Sequence, residues 1–492
     1  MKSLKLQIKA VAATLLLLLF CLPFIILLIK LPISLNFHFS FNEFYQALSN
    51  AMEQSIISVI ITLLLGYMGA LGLVSITKST ILRKIEMVMV LPIFLPQLFV
   101  VISVSNSMFF LFGEYKGLKS ILFINTLMNI GLVSVILSHS IRHIAGGPLK
   151  LAYIEGASFL QKMQQIFILI KRDFLFLGLF LFSIFFTSFS VPALVGGMSN
   201  QNIEVLIYEQ IRVHSNYSFA MLLSLFQIII LFAAIKFISP HKLSQEANSF
   251  LKDYVGLKYF TILPLLIPLF FVYSNIADIQ VGYFQFKELM LNSHFVEAIL
   301  GSFTVGIVTG LAILSLFLFL AYIYPSKLIE TFFNGYMAPS TAITGFALML
   351  LPPYDGVALN IKICIGLVLV IFPALYKMRM VRILEVLYSQ IKCAQLMGAS
   401  HFLIYKKIVF PQVVKPFSRV AAIGSFWASG DFGITVFLST SENTLAMIIK
   451  NLLYSYKLEL GIFISWIMIA VGFLCYVFIL GVGYVLHKKF RV

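Results

Sequence analysis

Residues Lys150–Ser158 read KLAYIEGAS and residues Lys392–Ser400 read KCAQLMGAS, so one short pattern recurs at an offset of 242 in a chain of 492 residues. The offset pairs Lys150 with Lys392, Ala152 with Ala394, and Gly156-Ala157-Ser158 with Gly398-Ala399-Ser400. A fixed internal period sets architecture before any local reading, and here it divides the chain into two copies of one unit, 1–245 and 246–492. Each copy of the pattern lies among basic residues between apolar runs, where a membrane protein meets the aqueous phase.

Outward from these stretches the composition is that of a chain whose solvent is mostly lipid: 60% hydrophobic, 11% charged, 49 Phe and a mean hydropathy of +1.00. The net charge of +16 does not indicate nucleic acid, because the basic residues are neither massed in a polar domain nor interleaved with base-stacking aromatics. Apolar runs of about 20 residues, enough to cross a bilayer, fall near 10–29, 55–76, 87–111, 121–141, 173–195 and 217–238 in the first half. In the second they fall near 259–276, 296–324, 332–351, 357–376, 412–438 and 460–486, the ninth and tenth parted by a turn at Pro352, Pro353, Asp355 and Gly356. The expectation is an all-α, polytopic membrane protein of about twelve spans in two parallel six-helix repeats.

With a cytoplasmic N-terminus, 26 Lys and Arg residues fall in inside loops against 8 outside or at span ends, which places both termini in the cytoplasm. The first run is longer than a signal-peptide core and no small-x-small cleavage site follows, so it reads as a retained span. Cys21, Cys364, Cys393 and Cys475 lie in spans or on the inside face, where disulfides are not expected, and no C-x-x-C pair occurs.

Each repeated loop, 150–170 and 392–412, reads as two short helices bent at the glycine, with the next serine capping the second helix. Ser158 with Gln161 has the spacing of a capping box. Phe159, Met163, Ile166, Phe167 and Ile170 then follow helical spacing and predict an apolar stripe at the membrane surface.

These G-A-S loops resemble the coupling motif of importer-type (type I) ABC transporter permeases, in which each ATPase subunit grips one such loop. Two loops in one chain resemble the fused permeases for thiamine and for ferric iron. Ser188-Phe189-Ser190-Val191-Pro192 through Gly196-Gly197, then Ile203-Glu204-Val205-Leu206-Ile207-Tyr208, look like the first half of a thiamine permease; Ser429-Gly430-Asp431-Phe432-Gly433 with Thr444-Leu445 is similar to the second. The resemblance implies ATPase coupling through Gly156, Ala157, Ser158, Gly398, Ala399 and Ser400. It also implies a cytoplasmic ABC ATPase dimer and a solute-binding protein as partners, and residence in a bacterial cytoplasmic membrane. Lys150 and Lys392 stand where the family has an acid, and Leu169 stands at the position matching Pro411.

The fifth and eleventh runs are interrupted at matching places, Ser188–Pro192 and Gly430–Ile434. Irregular backbone at membrane depth is tolerated where it lines a cavity, so a translocation pathway is expected at Ser188, Ser190, Pro192, Trp427, Gly430, Asp431 and Gly433. Asp431 is the one carboxylate deep in a predicted span; it either faces a cationic or polar solute, with Trp427 one turn away, or caps the helix break. His139 and His143 have i, i+4 spacing but lack a third ligand, and read as polar residues at the membrane edge rather than a metal site.

No cofactor, metal or catalytic group is expected. Gly113–Ser120 lacks the phosphate-loop spacing, so ATP hydrolysis would belong to another chain and this one is not an enzyme. The expected role is a permease importing a small solute, thiamine or a thiamine phosphate, with ferric iron as the alternative. An ion-coupled carrier also has twelve spans in parallel halves, but the scarcity of intramembrane acids and the G-A-S loops stand against it. A lipid enzyme would need clustered His, Asp or Cys near the interface.

Overall fold

The computed structural model describes residues 2–30, 40–76, 79–112, 116–197, 199–236, 258–262, short stretches between 264 and 286, 293–323, 332–333, 340–352, 356–376, 381–439 and 443–490. It is 89% helical, and no strand occurs among the described residues. The first half carries α1 (Lys2–Lys30), α2 (Phe41–Val74), α3 (Ser79–Phe94), α4 (Gln97–Phe112) and α5 (Leu118–Ser140). It continues with α6 (Gly146–Ile154), α7 (Phe159–Phe186), α8 (Ser190–Val195), α9 (Ile203–Arg212) and α10 (Tyr217–Lys236). The second half carries α11 (Ser293–Ile323), α12 (Thr341–Met349), α13 (Gly356–Leu375) and α14 (Val381–Leu396). After them come α15 (His401–Ile404), α16 (Phe410–Ser429), α17 (Gly433–Leu438), α18 (Leu445–Tyr454) and α19 (Leu458–Phe490).

Among the described residues, five helices are long and apolar enough to cross a membrane: Phe41–Val74, Leu118–Ile144, His294–Ile323, Ala358–Leu375 and Leu458–Phe490. The chain is an all-α, multi-pass membrane protein. The predicted run 87–111 is not one straight span, because α3 and α4 meet at 88°. Pro92 and Pro96 flank that bend, and neither offers an N–H to a continuous helix. The described part of the run 332–351 is chiefly α12, whose nine residues reach only about 14 Å, half of a bilayer core. Pro353 and Asp355 of the expected turn, and most of 236–258, lie outside the described residues.

Small residues decide how closely the helices approach. A Cβ on Gly66 would run into Val133 Cγ1, and one on Gly69 into Ser134 Oγ, so α2 and α5 touch nearly backbone to side chain. The same pair is joined by Asn125 Nδ2 donating to Ser58 Oγ at 3.1 Å and by Thr62 with Thr126 at 3.4 Å. In the second half Gly306 and Gly310 of α11 receive Ser425 of α16, whose hydroxyl donates to the Gly306 carbonyl at 2.9 Å. Gly472 and Gly483 of α19 seat against Ser429 and Ser418, which share one face of α16 with Ser425, so a single small-residue stripe receives both neighbouring helices. Helix α1 does not stay with its own half: Phe20 is fully buried against Phe333 and Phe372, at ring distances of 5.0 and 5.4 Å.

Candidate functional site

At the repeated loops the chain ends one helix and starts the next within four residues. Gly156 (φ 70°) and Gly398 (φ 80°) take the left-handed conformation that disfavours a side chain, and neither would meet a neighbour within 4 Å if a Cβ were added. The Ala157 N–H donates to the Ala152 carbonyl at 2.9 Å and the Gly156 N–H to the Tyr153 carbonyl at 3.2 Å. Their counterparts, Ala399 to Ala394 and Gly398 to Gln395, are both 3.1 Å. This double bond pattern is the Schellman ending of a helix. Ser158 then accepts from the Gln161 N–H while its own N–H reaches Gln161 Oε1 at 2.8 Å, completing the capping box. Ser400 accepts from the Leu403 N–H at 3.3 Å.

Both turns leave apolar side chains exposed at matching positions. Ile154 and Leu160 are 79% and 77% exposed; Leu396, at the position matching Ile154, is 82% exposed and Phe402, matching Leu160, 64%. Exposed apolar residues grouped at a turn form a surface suited to an apolar contact.

The helix after the first turn is not a separate short one, since α7 runs unbroken through 28 residues to the first break. The predicted stripe does not lie on a membrane surface either. Ile166 and Ile170 are fully buried with Leu71, Val74, Leu137 and Ile141, and Met163 packs against the same cluster. Of this stripe Phe167 is half exposed, and the Phe159 side chain lies outside the described residues. The second copy differs in having a π turn, Tyr405–Val409, where the Phe410 N–H bonds to the Tyr405 carbonyl. Pro411 follows at once and has no N–H for the Lys407 carbonyl, so the wider turn absorbs the defect.

The two breaks meet. Phe189, at the end of the first, stacks on Phe432 of the second with centroids 5.9 Å apart and planes at 13°. Phe437 packs 5.1 Å from Phe189, and Tyr208 closes the group at 5.1 Å from Phe437. Phe189 and Phe432 are each 3% exposed, so aromatic rings fill the space between the two breaks.

The residues expected to line a pathway take varied places around these rings. Ser190 and Pro192 are buried in α8. The Ser188 carbonyl, freed by the break, accepts from Asn202 Nδ2 at 2.7 Å, while Asn202 Oδ1 caps α9 through the Val205 N–H at 3.0 Å. Gly430 lies against Pro96 and Gly433 against Thr341. Asp431 caps α17: its Oδ2 accepts from the Ile434 and Thr435 N–H groups at 2.9 and 3.3 Å. Trp427 stacks on Phe94 with centroids 6.1 Å apart. Of the two readings open for Asp431, the geometry favours the capping one.

A more deeply buried acid lies outside every predicted span. Glu204 of α9 is fully buried; Gln227 Nε2 donates to its Oε1, and the Ala342 N–H at the start of α12 donates to its Oε2 at 3.2 Å. Eight residues on, the Arg212 guanidinium donates to the Phe437 carbonyl in the last turn of α17. One helix of the first half thus places a carboxylate at the N-terminus of one second-half helix and a cation at the C-terminus of another. Both signs match the helix macrodipoles.

His139 Nε2 lies 3.5 Å from Glu86 Oε1, and Arg142 between the two histidines donates to the Leu73 carbonyl at 2.5 Å, so the group braces the C-terminal ends of α2 and α5 and holds α5 to the middle of α3. Among the described residues no group of three or more His, Cys, Asp or Glu could hold a metal ion. Comparison with family models, with curated proteins and with solved structures returns no match.

Proposed function

We propose that this chain is the membrane permease subunit of an ATP-driven importer, two parallel repeats of six spans with both termini cytoplasmic in a bacterial inner membrane. The observation that carries the reading is the pair of Schellman-and-serine turns 242 residues apart, each exposing apolar residues at matching positions. Two equivalent apolar knobs on the charged face suit a partner with two equivalent clefts, which is the arrangement of a nucleotide-driven ATPase dimer. Nucleotide hydrolysis falls to that partner, and a solute-binding protein would deliver cargo to the outer face.

In this reading the breaks at Phe189 and Phe432 form the closed constriction of the pathway, parting as the ATPases move the turns. The solute is thiamine or a thiamine phosphate by the resemblance of the two break motifs, with ferric iron as the competing cargo. The test is co-purification of the full chain with a candidate ATPase, comparing wild type with Gly398→Arg. The variant should insert normally, yet lose ATPase capture and transport-linked hydrolysis. Unchanged capture and hydrolysis by a folded Gly398→Arg would remove the turn from the contact.

A further inference from the structure

A groove of about 970 Å³ opens on the flank of the first half, at the upper end of the size usual for small-molecule sites. Leu65 of α2, Leu127 and Ile130 of α5, and Leu266 and Phe270 of the second half line it, and none of the break residues does. Apart from Thr126, its wall is apolar except at one end. There Lys116, Lys119 and the buried Ser120 stand, in the loop and first turn of α5, on the outer side by the Lys and Arg distribution. Lys116 also lies over the Tyr456 ring, 5.8 Å from its centroid.

The depth of the groove is informative. From Lys119 to Ile130 α5 descends about 16 Å at 1.5 Å per residue, which is close to half of the roughly 30 Å hydrocarbon core. Ile130 and Leu65 sit at the level where Gly66 brings α2 onto Val133. A ligand filling this space needs an apolar portion one leaflet long and an anionic end at the interface. We propose that the groove is a binding site for an outer-leaflet anionic phospholipid, its acyl chain along α2 and α5 and its phosphate between Lys116 and Lys119. A neutral lipid would fill the apolar length equally well, so the lysines are what select by charge.

The experiment reconstitutes the full chain in nanodiscs containing a minority of phosphatidylglycerol in phosphatidylcholine, then extracts it into mild detergent and weighs the retained lipid by native mass spectrometry. Phosphatidylglycerol should be enriched over its bulk share, by about fivefold for each lysine and roughly 30-fold for both. Lys116→Gln with Lys119→Gln should bring the retained ratio back to bulk while leaving a lipid bound. Leu122→Trp, which fills the groove without touching the charges, should lower retention of both lipids. Retention at the bulk ratio by the wild type, or enrichment that survives the double lysine substitution, overturns the assignment. Retention unchanged by Leu122→Trp would place the lipid elsewhere on the protein and also overturns it.

Discussion

Removing the Glu204 carboxylate tests the contact that joins the two halves. In Glu204→Ala three donors lose their acceptor, the Ala342 N–H, the Gln227 amide and the Ser340 hydroxyl, and both Glu204 and Gln227 are 0% exposed, so water does not replace it. An orphaned buried polar group costs about 1–3 kcal/mol, and the Ser340 hydroxyl can rotate to another acceptor, so the two amides alone should destabilise the variant by roughly 2–6 kcal/mol. Glu204→Gln keeps an acceptor for Ala342 and can exchange one amide bond with Gln227, losing chiefly the charge at the start of α12, about 1 kcal/mol. Adding Gln227→Leu to Glu204→Ala removes one orphan and should return about 1–3 kcal/mol. The assay is the fraction of monodisperse protein left after heating in detergent at one fixed rate, since unfolding of such a chain is compared by rate rather than equilibrium. The expected order is wild type, Glu204→Gln, the double variant, then Glu204→Ala. If Glu204→Ala survives heating like the wild type, or Gln227→Leu recovers nothing, the carboxylate does not hold the contact.

Phosphatase fusions report topology: activity is expected for a fusion between 439 and 458 and none for one between 236 and 258, and the reverse pattern would invert the assigned sidedness. Asp431→Asn keeps an acceptor for the Ile434 and Thr435 amides and should fold and transport normally, whereas Asp431→Ala should lose a cap and about 0.5–2 kcal/mol, read as heat resistance. Lost uptake of thiamine in a well-folded Asp431→Asn would restore the carboxylate to the pathway. Gly156→Ala meets no neighbour and carries only the left-handed strain, about 1–2 kcal/mol, so uptake should persist at reduced heat resistance; lost insertion would contradict that account.

What was legible in the sequence was local or periodic. The glycine bend, the serine cap and the Gln161 box all form within a dozen residues, so their chemistry can be read before any tertiary contact exists. The interruptions at Ser188 and Gly430 were visible because they recur at one offset. The apolar stripe from Phe159 to Ile170 was read correctly as helical but given the wrong neighbour, because periodicity states that a face is covered and not what covers it. The Glu204 contact was illegible for the opposite reason. Its partner Ala342 lies 138 residues away, and α9 is too short to stand out as a span. Asn202 three residues before Val205, an acid in the first turn and Arg212 in the last do form a helix signature there.

The two halves share turns and breaks but not the way they are held. At the positions matching Glu204 and Arg212 the second half has Ala446 and Tyr454, so α18 has no counterpart of the carboxylate, and its one cation, Lys450, lies over the Tyr454 ring of its own helix, 5.9 Å from the centroid. The start of α18 is instead met from within its own half, the Leu445 N–H donating to Ser302 Oγ at 2.9 Å. The breaks differ in the same sense: Ser188 is held by Asn202 from the following helix, while Asp431 holds its own. Separation of the halves around Phe189 and Phe432 therefore meets charge-assisted bonds on the α9 side and only packing at the matching α18 positions. In the proposed importer, a motion that starts symmetrically at the two turns would therefore meet its greater resistance on the α9 side, because that is where a buried carboxylate has to be stripped of its partners.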